Sequence, residues 1–271
     1  MIINNVCQNL CFTSGLNSNL VKQSQNARVS DIEVMIRTKG IYSNLHSIRP
    51  VAFALQKVFE VFDNLYKKTN KKIFSIHTPS IQTYTPEALN FNFTGYGFCI
   101  PNTQIVIKNE KPSLTGSIFY PEENSIEELD MKLNESFFNG ERSSSHYLAP
   151  FIHEILHSTY LNFIYQKFGY EGTCPITQCK YAKENNVGLK VLQVLQSKVF
   201  SNDENKLIGN ILGGYALKPQ NQYHEVFAET FTKLICDNLS QKTSMPIANP
   251  LDSLKQYPID FLKIVAKLLN F

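Results

Sequence analysis

The segment HEILH, residues 153 to 157, constrains this chain more than any other feature, because it lies in a stretch whose apolar residues recur at helical spacing. Residues four apart on an α-helix lie one above the other, so His153 and His157 would direct both imidazoles toward one point. Neutral imidazole binds Zn²⁺ well, and two histidines plus one carboxylate leave a fourth tetrahedral position for water. The spacing therefore predicts a zinc site on a helix.

Glu154 supplies the group that a hydrolytic zinc site needs as its general base. Zinc lowers the pKa of a bound water toward about 7, and a neighbouring carboxylate can accept the proton and later deliver it to a leaving amine. The alternative is that two of the six histidines fall into this spacing by chance and pack as ordinary polar residues. The helical context favours the catalytic interpretation.

The motif helix is expected within residues 145 to 169. Ser145 is the candidate N-cap, Pro150 suits the first turn and Gly169 marks the end. The apolar stripe of this helix is formed by Ile152, Leu156, Tyr160, Phe163 and Ile164.

The missing third ligand is expected downstream, as a carboxylate on a second helix. Glu225 and Glu229 are four residues apart and share a helix face, and Ala228 beside them is small enough to let two helices approach closely. One carboxylate would bind the metal, and the other would accept the free ring N–H of a metal-bound histidine. The alternative for this pair is a solvated acidic face.

Three other histidines, His46, His77 and His146, have no ligand spacing to the motif, and structural or surface roles are predicted for them.

HEILH, followed downstream by a tyrosine and then by EVFAETF, resembles the catalytic domain of anthrax lethal factor and its relatives, whose pattern is HExxH, then Tyr, then EFFAE. The resemblance is carried by these two short motifs. It implies a zincin-like metallopeptidase of the gluzincin type with one zinc ion. The residues that it implies are His153, His157 and Glu225 as ligands, Glu154 as the base, and Glu229 as a carboxylate behind a ligand.

The resemblance also implies a tyrosine that stabilises the oxyanion. Tyr215 is the residue carried over for this role, and it lies ten residues before Glu225. This interval is longer than in the family, and Tyr223 is the alternative. The interval between the two motifs is also longer, with residues 174 to 200 as an apparent insertion.

The remaining pattern predicts the α+β class, with a small mixed sheet and a mainly helical C-terminal half. Helices are expected at 49–68, 187–200, 206–212, 223–238 and 258–271, strands at 72–78, within 90–102, at 103–109 and at 115–120, and a loop at 174–186. The helix at 49–68 should bury Val51, Leu55, Val58, Phe59 and Phe62. Residues 115–120 are the expected hairpin partner of 103–109.

Residues 103 to 109, TQIVIKN, form the clearest strand pattern, because this β-branched run is bounded by turn residues on both sides. Zinc peptidases of this kind hold an extended substrate against a sheet edge. This strand is the candidate for that edge, and a central position in the sheet is the alternative.

The first 30 residues are polar and rich in Asn and Ser, which favours a poorly ordered leader, with a non-cleaved export signal as a further interpretation. Residues 31 to 271 are expected to form one zincin-like domain with a helical N-terminal extension. The start of the chain lacks the basic and apolar regions of a cleaved secretory signal.

Composition excludes several classes of partner. The net charge of +3 is too small to indicate a nucleic-acid or anionic-membrane partner, and no apolar run approaches the roughly 20 residues of a membrane span. The six cysteines do not form zinc-ribbon spacings and are expected as free thiols. These are Cys7, Cys11, Cys99, Cys174, Cys179 and Cys236.

The function predicted from these patterns is a zinc-dependent endopeptidase that hydrolyses peptide bonds with a zinc-activated water. The kinship to a toxin suggests a bacterial effector that acts on a host protein, delivered by a specialised secretion route. The alternatives are a non-catalytic zinc-binding interaction protein on the same fold, and a zinc hydrolase of substrates other than peptides.

Overall fold

The computed structural model describes residues 16–70, 74–85, 95–104, 113–168, 212–218 and 221–243. The helices in these ranges are α1 (Ser18–Gln25), α2 (Val29–Thr38), α3 (Arg49–Thr69), α4 (Ile126–Phe138), α5 (Ala149–Phe168), α6 (Gly214–Leu217) and α7 (Gln222–Thr243). The strands are β1 (Tyr42–Asn44), β2 (Ser80–Tyr84), β3 (Phe98–Gln104) and β4 (Ser113–Pro121).

Helix α1 lies within the segment expected to be a poorly ordered leader, so that prediction does not hold for residues 16 to 30. Asn17 caps the helix, because its side-chain oxygen accepts a hydrogen bond from the Asn19 N–H at 2.8 Å. Leu20 and Val21 pack against the core, which gives this short amphipathic segment a reason to fold. Residues 1 to 15 lie outside the described part of the chain.

Helix α3 confirms the helix predicted at 49–68. Pro50 occupies the first turn, where its missing N–H has no intrahelical partner to lose, and Asn70 ends the helix in a left-handed conformation with φ of 50°. All five residues of the predicted stripe are buried. The stripe therefore anchors α3 in the core.

The described strands form one four-stranded mixed sheet with the order β1-β2-β4-β3. The pairs β1–β2 and β2–β4 are parallel, whereas β3 and β4 are antiparallel. Strand β3 pairs with β4 on one side and forms an edge of the described sheet. The α+β class and the mixed sheet expected from the sequence are present.

The strand predicted at 72–78 is wrong for residues 74 to 78, and β2 lies further along the chain, at Ser80–Tyr84. Phe74 is buried and packs edge-on against Phe62, with ring centroids 6.3 Å apart, but it does so from an irregular segment. The apolar residues of this segment therefore serve the core and not the sheet. Ile81 of β2 pairs in register with Ile118 of β4.

The hairpin partner predicted at 115–120 is confirmed as part of β4. Strand β3 includes Thr103 and Gln104, which pair with Leu114 and Ser113, but it starts as early as Phe98. Residues 105 to 109, which complete the TQIVIKN pattern, lie outside the described residues.

Helix α5 contains the motif and begins at Ala149, so the prediction of Ser145 as its N-cap is wrong. A turn precedes the helix instead: the Ala149 N–H donates to the His146 carbonyl at 2.7 Å, and the Leu148 N–H donates to His146 Nδ1 at 3.1 Å. Pro150 lies in the first turn as expected. The side chains of Phe163 and Ile164 and residue Gly169 are outside the described part.

Helix α7 confirms and extends the helix predicted at 223–238. The other predictions for 174–186, 187–200, 206–211 and 258–271 fall outside the described residues. Cys99 and Cys236 are not in disulfides, in line with the expected thiols, and Cys7, Cys11, Cys174 and Cys179 are not described. None of the described helices combines the length and apolar character needed to cross a bilayer.

Candidate metal centre

Helix α5 is fixed against the sheet through β4, and this places the HEILH segment beside the β3–β4 end of the sheet. The Tyr120 hydroxyl donates to the Phe151 carbonyl at 2.9 Å, and the two rings pack with centroids 4.7 Å apart. Further along the helix, the Gly116 N–H donates to Ser158 Oγ at 3.2 Å. The helix therefore has a defined rotation, with the motif residues on its inner side.

Helix α7 packs on α5 through apolar contacts that surround the two predicted carboxylates. Tyr160 and Phe227 have ring centroids 5.0 Å apart, and Ala228 is fully buried. The small Ala228 side chain permits this close approach of the helices, as the sequence suggested. Glu225 and Glu229 are consequently buried, and the interpretation of the pair as a solvated acidic face is wrong.

His153, His157 and Glu225 converge on one point. The two histidine Nε2 atoms are 2.9 Å apart. Glu225 Oε2 lies 3.1 Å from His153 Nε2, and Glu225 Oε1 lies 3.5 Å from His157 Nε2. All three side chains are buried. The structure thus brings together the three residues that the sequence resemblance assigned as ligands.

These separations suit a small tetrahedral ion. With metal–nitrogen and metal–oxygen bonds of about 2.0–2.1 Å, the ligand atoms of a tetrahedral zinc site are about 3.3–3.4 Å apart. In addition, Glu225 Oε2 is buried without a hydrogen-bond partner among the described residues. An unsatisfied buried carboxylate oxygen is costly, and a bound cation would satisfy it. The donor set therefore fits a divalent metal ion.

Glu229 is held by the protein in a way that sets it behind His153. Its Oε1 lies 3.4 Å from His153 Nδ1 and accepts a hydrogen bond from Arg142 Nη1 at 3.3 Å. Its Oε2 accepts from the Ser143 N–H at 3.2 Å and from the Ser143 hydroxyl. A carboxylate at Nδ1 fixes the tautomer that leaves Nε2 for a metal. This is the role expected for Glu229.

Two buried groups in the described part of the chain are compact enough to hold a metal ion: His153, Glu154 and His157, and His153, Glu225 and Glu229. The three candidate ligands, His153, His157 and Glu225, are drawn from both groups. Glu229 is already engaged by Arg142 and Ser143, whereas Glu225 has an unsatisfied oxygen facing the histidines. Glu154 would then remain beside a bound ion.

The three candidate ligands shift one another's pKa values, because they are buried close together. Burial lowers the pKa of His153, but Glu229 and Glu225 outweigh it and raise that pKa to about 9. Burial lowers the pKa of His157 to about 4. Burial raises the pKa of Glu225, but the nearby ring nitrogens of His157, His153 and His224 hold it well below its usual range. The carboxylate is thus available in its anionic form.

Glu154 lies where a base is needed, next to His153 and facing a pocket. Burial raises its pKa to about 7, although His153 acts in the opposite direction. The chain beside it comes very close: a Cβ atom added to Gly97 would lie 2.8 Å from Glu154 Cγ and 3.0 Å from Tyr120 Cδ1. Glycine at this position therefore lets the start of β3 approach the carboxylate.

Tyr215, the predicted oxyanion residue, is half-buried at the rim of the same site. Its ring lies under the Arg142 guanidinium, with 4.8 Å from Cζ to the ring centroid. The segment before it is tied to the loop after α4, because the Gly214 N–H donates to the Gly140 carbonyl at 2.7 Å. Burial and the nearby Glu225 raise the pKa of Tyr215. The side chain of Tyr223, the alternative, is outside the described part.

Three residues of the site were missed in the sequence. His224 Nε2 lies 3.3 Å from Glu225 Oε1, and its ring is 5.4 Å from that of His157. Its position directly before Glu225 was the available signal. Arg142 and Ser143 come from a loop more than 80 residues before Glu229, and no spacing in the sequence connects them to it.

The histidines predicted to have other roles lie apart from this cluster. His46 is exposed and lies 3.6 Å from Glu122, and His146 accepts a backbone hydrogen bond before α5.

The chain matches no protein-family model, and comparisons with curated proteins and with solved structures gave no match.

Proposed function

We propose that this protein is a zinc-dependent peptidase with a zincin-like active site. One observation carries the proposal: the donor atoms of His153, His157 and Glu225 lie 2.9–3.5 Å from one another in a buried site, with Glu154 beside them. Two histidines and one carboxylate form the ligand set of hydrolytic zinc sites, which keep one position open. The same site supports the ligand set that the resemblance to lethal factor implies.

A zinc ion in this site would supply Lewis acidity and would lower the pKa of water at the open position. Glu154 would take the proton from that water and later give it to the leaving amine. Burial favours the protonated form of this carboxyl group, which helps a base that must take up a proton from the water before it passes the proton on. Tyr215 would donate a hydrogen bond to the carbonyl oxygen as charge develops there.

An extended peptide would bind along β3. This strand forms an edge of the described sheet and begins next to Gly97, where the backbone approaches Glu154. Main-chain hydrogen bonds to such an edge hold a peptide whatever its side chains are. The edge therefore supports a peptide substrate over a small molecule. The resemblance adds the proposal that the peptide belongs to a host protein.

The test is cleavage of a peptide library by the zinc-loaded protein, read by mass spectrometry, with the zinc content measured in parallel. Glu154→Gln should keep one zinc per chain and lose cleavage by about 10²–10⁴-fold, because the general base is removed. Glu135→Gln, on the exposed side of α4, is the matched control and should cleave like the wild type.

The same experiment separates the alternatives. Stoichiometric zinc without cleavage of any peptide by the wild type would contradict the peptidase and leave the non-catalytic zinc-binding protein and the zinc hydrolase of other substrates. Cleavage that Glu154→Gln retains would remove Glu154 from the mechanism.

A further inference from the structure

A small pocket opens beside Glu154 on the His153 side of the site. Its lining includes Tyr96, Arg142, Ser144 and Thr232, whereas His157 and Glu225 do not contribute to it. The cavity volume is about 30 Å³. One water molecule needs about 10–15 Å³ on this measure, so the pocket has room for a group of two or three heavy atoms.

Arg142 brings a positive charge to this pocket. Its guanidinium donates one hydrogen bond to Glu229 at 3.3 Å, and its Cζ lies over the rings of Tyr215 and Tyr96, 4.8 and 5.7 Å from their centroids. Among the described residues it makes no further hydrogen bond. A guanidinium has five N–H donors in one plane, so donors at its edge remain available to a ligand.

Thr232 offers a second donor. It is only 2% exposed, and its hydroxyl is buried without a hydrogen-bond partner among the described residues. A threonine in a helix commonly donates to the carbonyl four residues before it, as Thr159 does to Ile155 at 3.0 Å. Thr232 lacks such a bond while it lines the pocket, so its hydroxyl is free to bind an occupant.

Ser144 completes the group of donors. Its Oγ accepts the His146 N–H at 3.2 Å, which leaves its own hydroxyl proton to donate. Arg142, Thr232 and Ser144 therefore present donors to a space of two or three heavy atoms. A carboxylate has this size and accepts hydrogen bonds only.

Two acidic residues, Glu154 and Glu229, also line the pocket, so their negative charges must be offset before a carboxylate can bind. Glu229 is already engaged by Ser143, Arg142 and His153. With a divalent ion bound, the ion and Arg142 together carry three positive charges. Glu154, Glu225 and Glu229 carry three negative charges, which the positive charges balance. A substrate carboxylate would enter a site without net negative charge.

We propose that this pocket binds a carboxylate of the substrate residue next to the scissile bond, through Arg142, Thr232 and Ser144. The inference rests on the proposed peptidase function and names its substrate class. The carboxylate has two sources: the side chain of an internal Asp or Glu, or the α-carboxylate of a C-terminal residue. The first would make the enzyme an acid-selective endopeptidase, and the second a carboxypeptidase.

Calorimetry on the zinc-loaded protein tests the proposal with three probes. N-acetyl-aspartic acid α-amide carries a side-chain carboxylate, N-acetyl-alanine carries an α-carboxylate, and N-acetyl-asparagine amide is the neutral control. One acidic probe should bind at least about tenfold more tightly than the neutral one, which corresponds to one charge-assisted hydrogen-bond set. The acidic probe that binds identifies the source.

Two variants assign this preference to the pocket. Thr232→Val keeps the shape of the side chain and removes the hydroxyl, so it should reduce the preference about three- to tenfold. Arg142→Gln should reduce it further. Because Arg142 also contacts Glu229, the zinc content of Arg142→Gln is measured before its binding of the probes. If Arg142→Gln loses zinc, the test rests on Thr232→Val alone.

Equal binding of the acidic and neutral probes would overturn the proposal that the pocket binds a carboxylate. A preference that Thr232→Val leaves unchanged would also overturn it, because the carboxylate would then bind the metal. Peptide cleavage without acid selectivity would reject the pocket and keep the peptidase. Acid-selective binding without cleavage of any peptide would reject the peptidase and keep the carboxylate-binding pocket.

Discussion

His224 Nε2 lies 3.3 Å from Glu225 Oε1, on the oxygen opposite the one that faces His153. The two oxygens of Glu225 thus have different surroundings: Oε1 is next to His224 and His157, and Oε2 has no hydrogen-bond partner among the described residues. A carboxylate held at one oxygen presents the other to a metal as a single ligand. His224 would therefore orient Glu225.

His224→Ala should weaken zinc binding about tenfold, which is at the lower end of the effect of removing a group that orients a metal ligand. It should also change the visible spectrum of the Co²⁺-substituted protein, because Glu225 could then bind through both oxygens. His224→Gln, whose amide can donate to Oε1, should recover part of the affinity. His46→Ala, at an exposed histidine, is the control. Identical zinc affinities in all four proteins would show that Glu225 needs no such support.

The zinc affinities of Glu225→Ala and Glu229→Ala should show which carboxylate binds the metal and which one only supports His153. Loss of Glu225 removes a ligand, so zinc binding should fall by more than about 100-fold. Loss of Glu229 leaves all three ligands in place and should cost about 10–100-fold. Competition with a chromogenic chelator measures both, with Glu135→Ala as the exposed control. If Glu229→Ala alone abolishes binding, the two assignments are reversed, and if neither variant matters, the third ligand lies elsewhere.

The sequence predicted those parts of the site that lie on periodic helices. His153 and His157 on α5, and Glu225 and Glu229 on α7, are four residues apart, and helical geometry converts that spacing into a shared direction. The burial of Ala228 follows from the same reasoning. A zinc site with two histidines needs a third ligand, and this need alone predicted that α5 and α7 lie side by side.

The contributions from loops were not predictable in this way. Arg142 and Ser143 contact Glu229 from the segment between α4 and α5, and Gly97, directly before β3, leaves the space that the Glu154 side chain occupies. These contacts depend on how separate elements pack together, which no local period encodes. The strand expected at 72–78 failed for a related reason, because Phe74 is buried by the core without joining the sheet.

Gly97→Ala should reduce cleavage while zinc remains bound. The added methyl group would lie 2.8 Å from Glu154 Cγ, so either the carboxylate or the start of β3 must shift. A displacement of the general base of about 1 Å costs catalysis up to about 100-fold. The three atoms nearest the added methyl group belong to Glu154 and Tyr120 and not to the proposed zinc ligands. Zinc content and cleavage rate on one peptide are the measurements. Full activity would mean that Glu154 can move without consequence.

The stability of the fold should fall in mild acid through His146. Its Nδ1 accepts the Leu148 N–H at 3.1 Å immediately before α5, a bond that requires an unprotonated nitrogen. Burial lowers the pKa of His146 to about 4, while the unfolded chain titrates near about 6.5. Between these values the unfolded state binds more protons than the folded state. The free energy of unfolding therefore loses up to about 1.4 kcal/mol per pH unit as the pH falls, and is insensitive to this group above about 6.5.

Urea denaturation from pH 7 to pH 4.5 measures this dependence. His146→Asn keeps a side-chain acceptor for the Leu148 N–H without a titrating ring, so its unfolding free energy should fall less steeply with decreasing pH than that of the wild type. His46→Asn, at an exposed position with φ of 44° that asparagine tolerates, is the control for replacing a histidine elsewhere in the fold. Parallel curves for the wild type and His146→Asn would show that the start of α5 does not depend on a neutral His146.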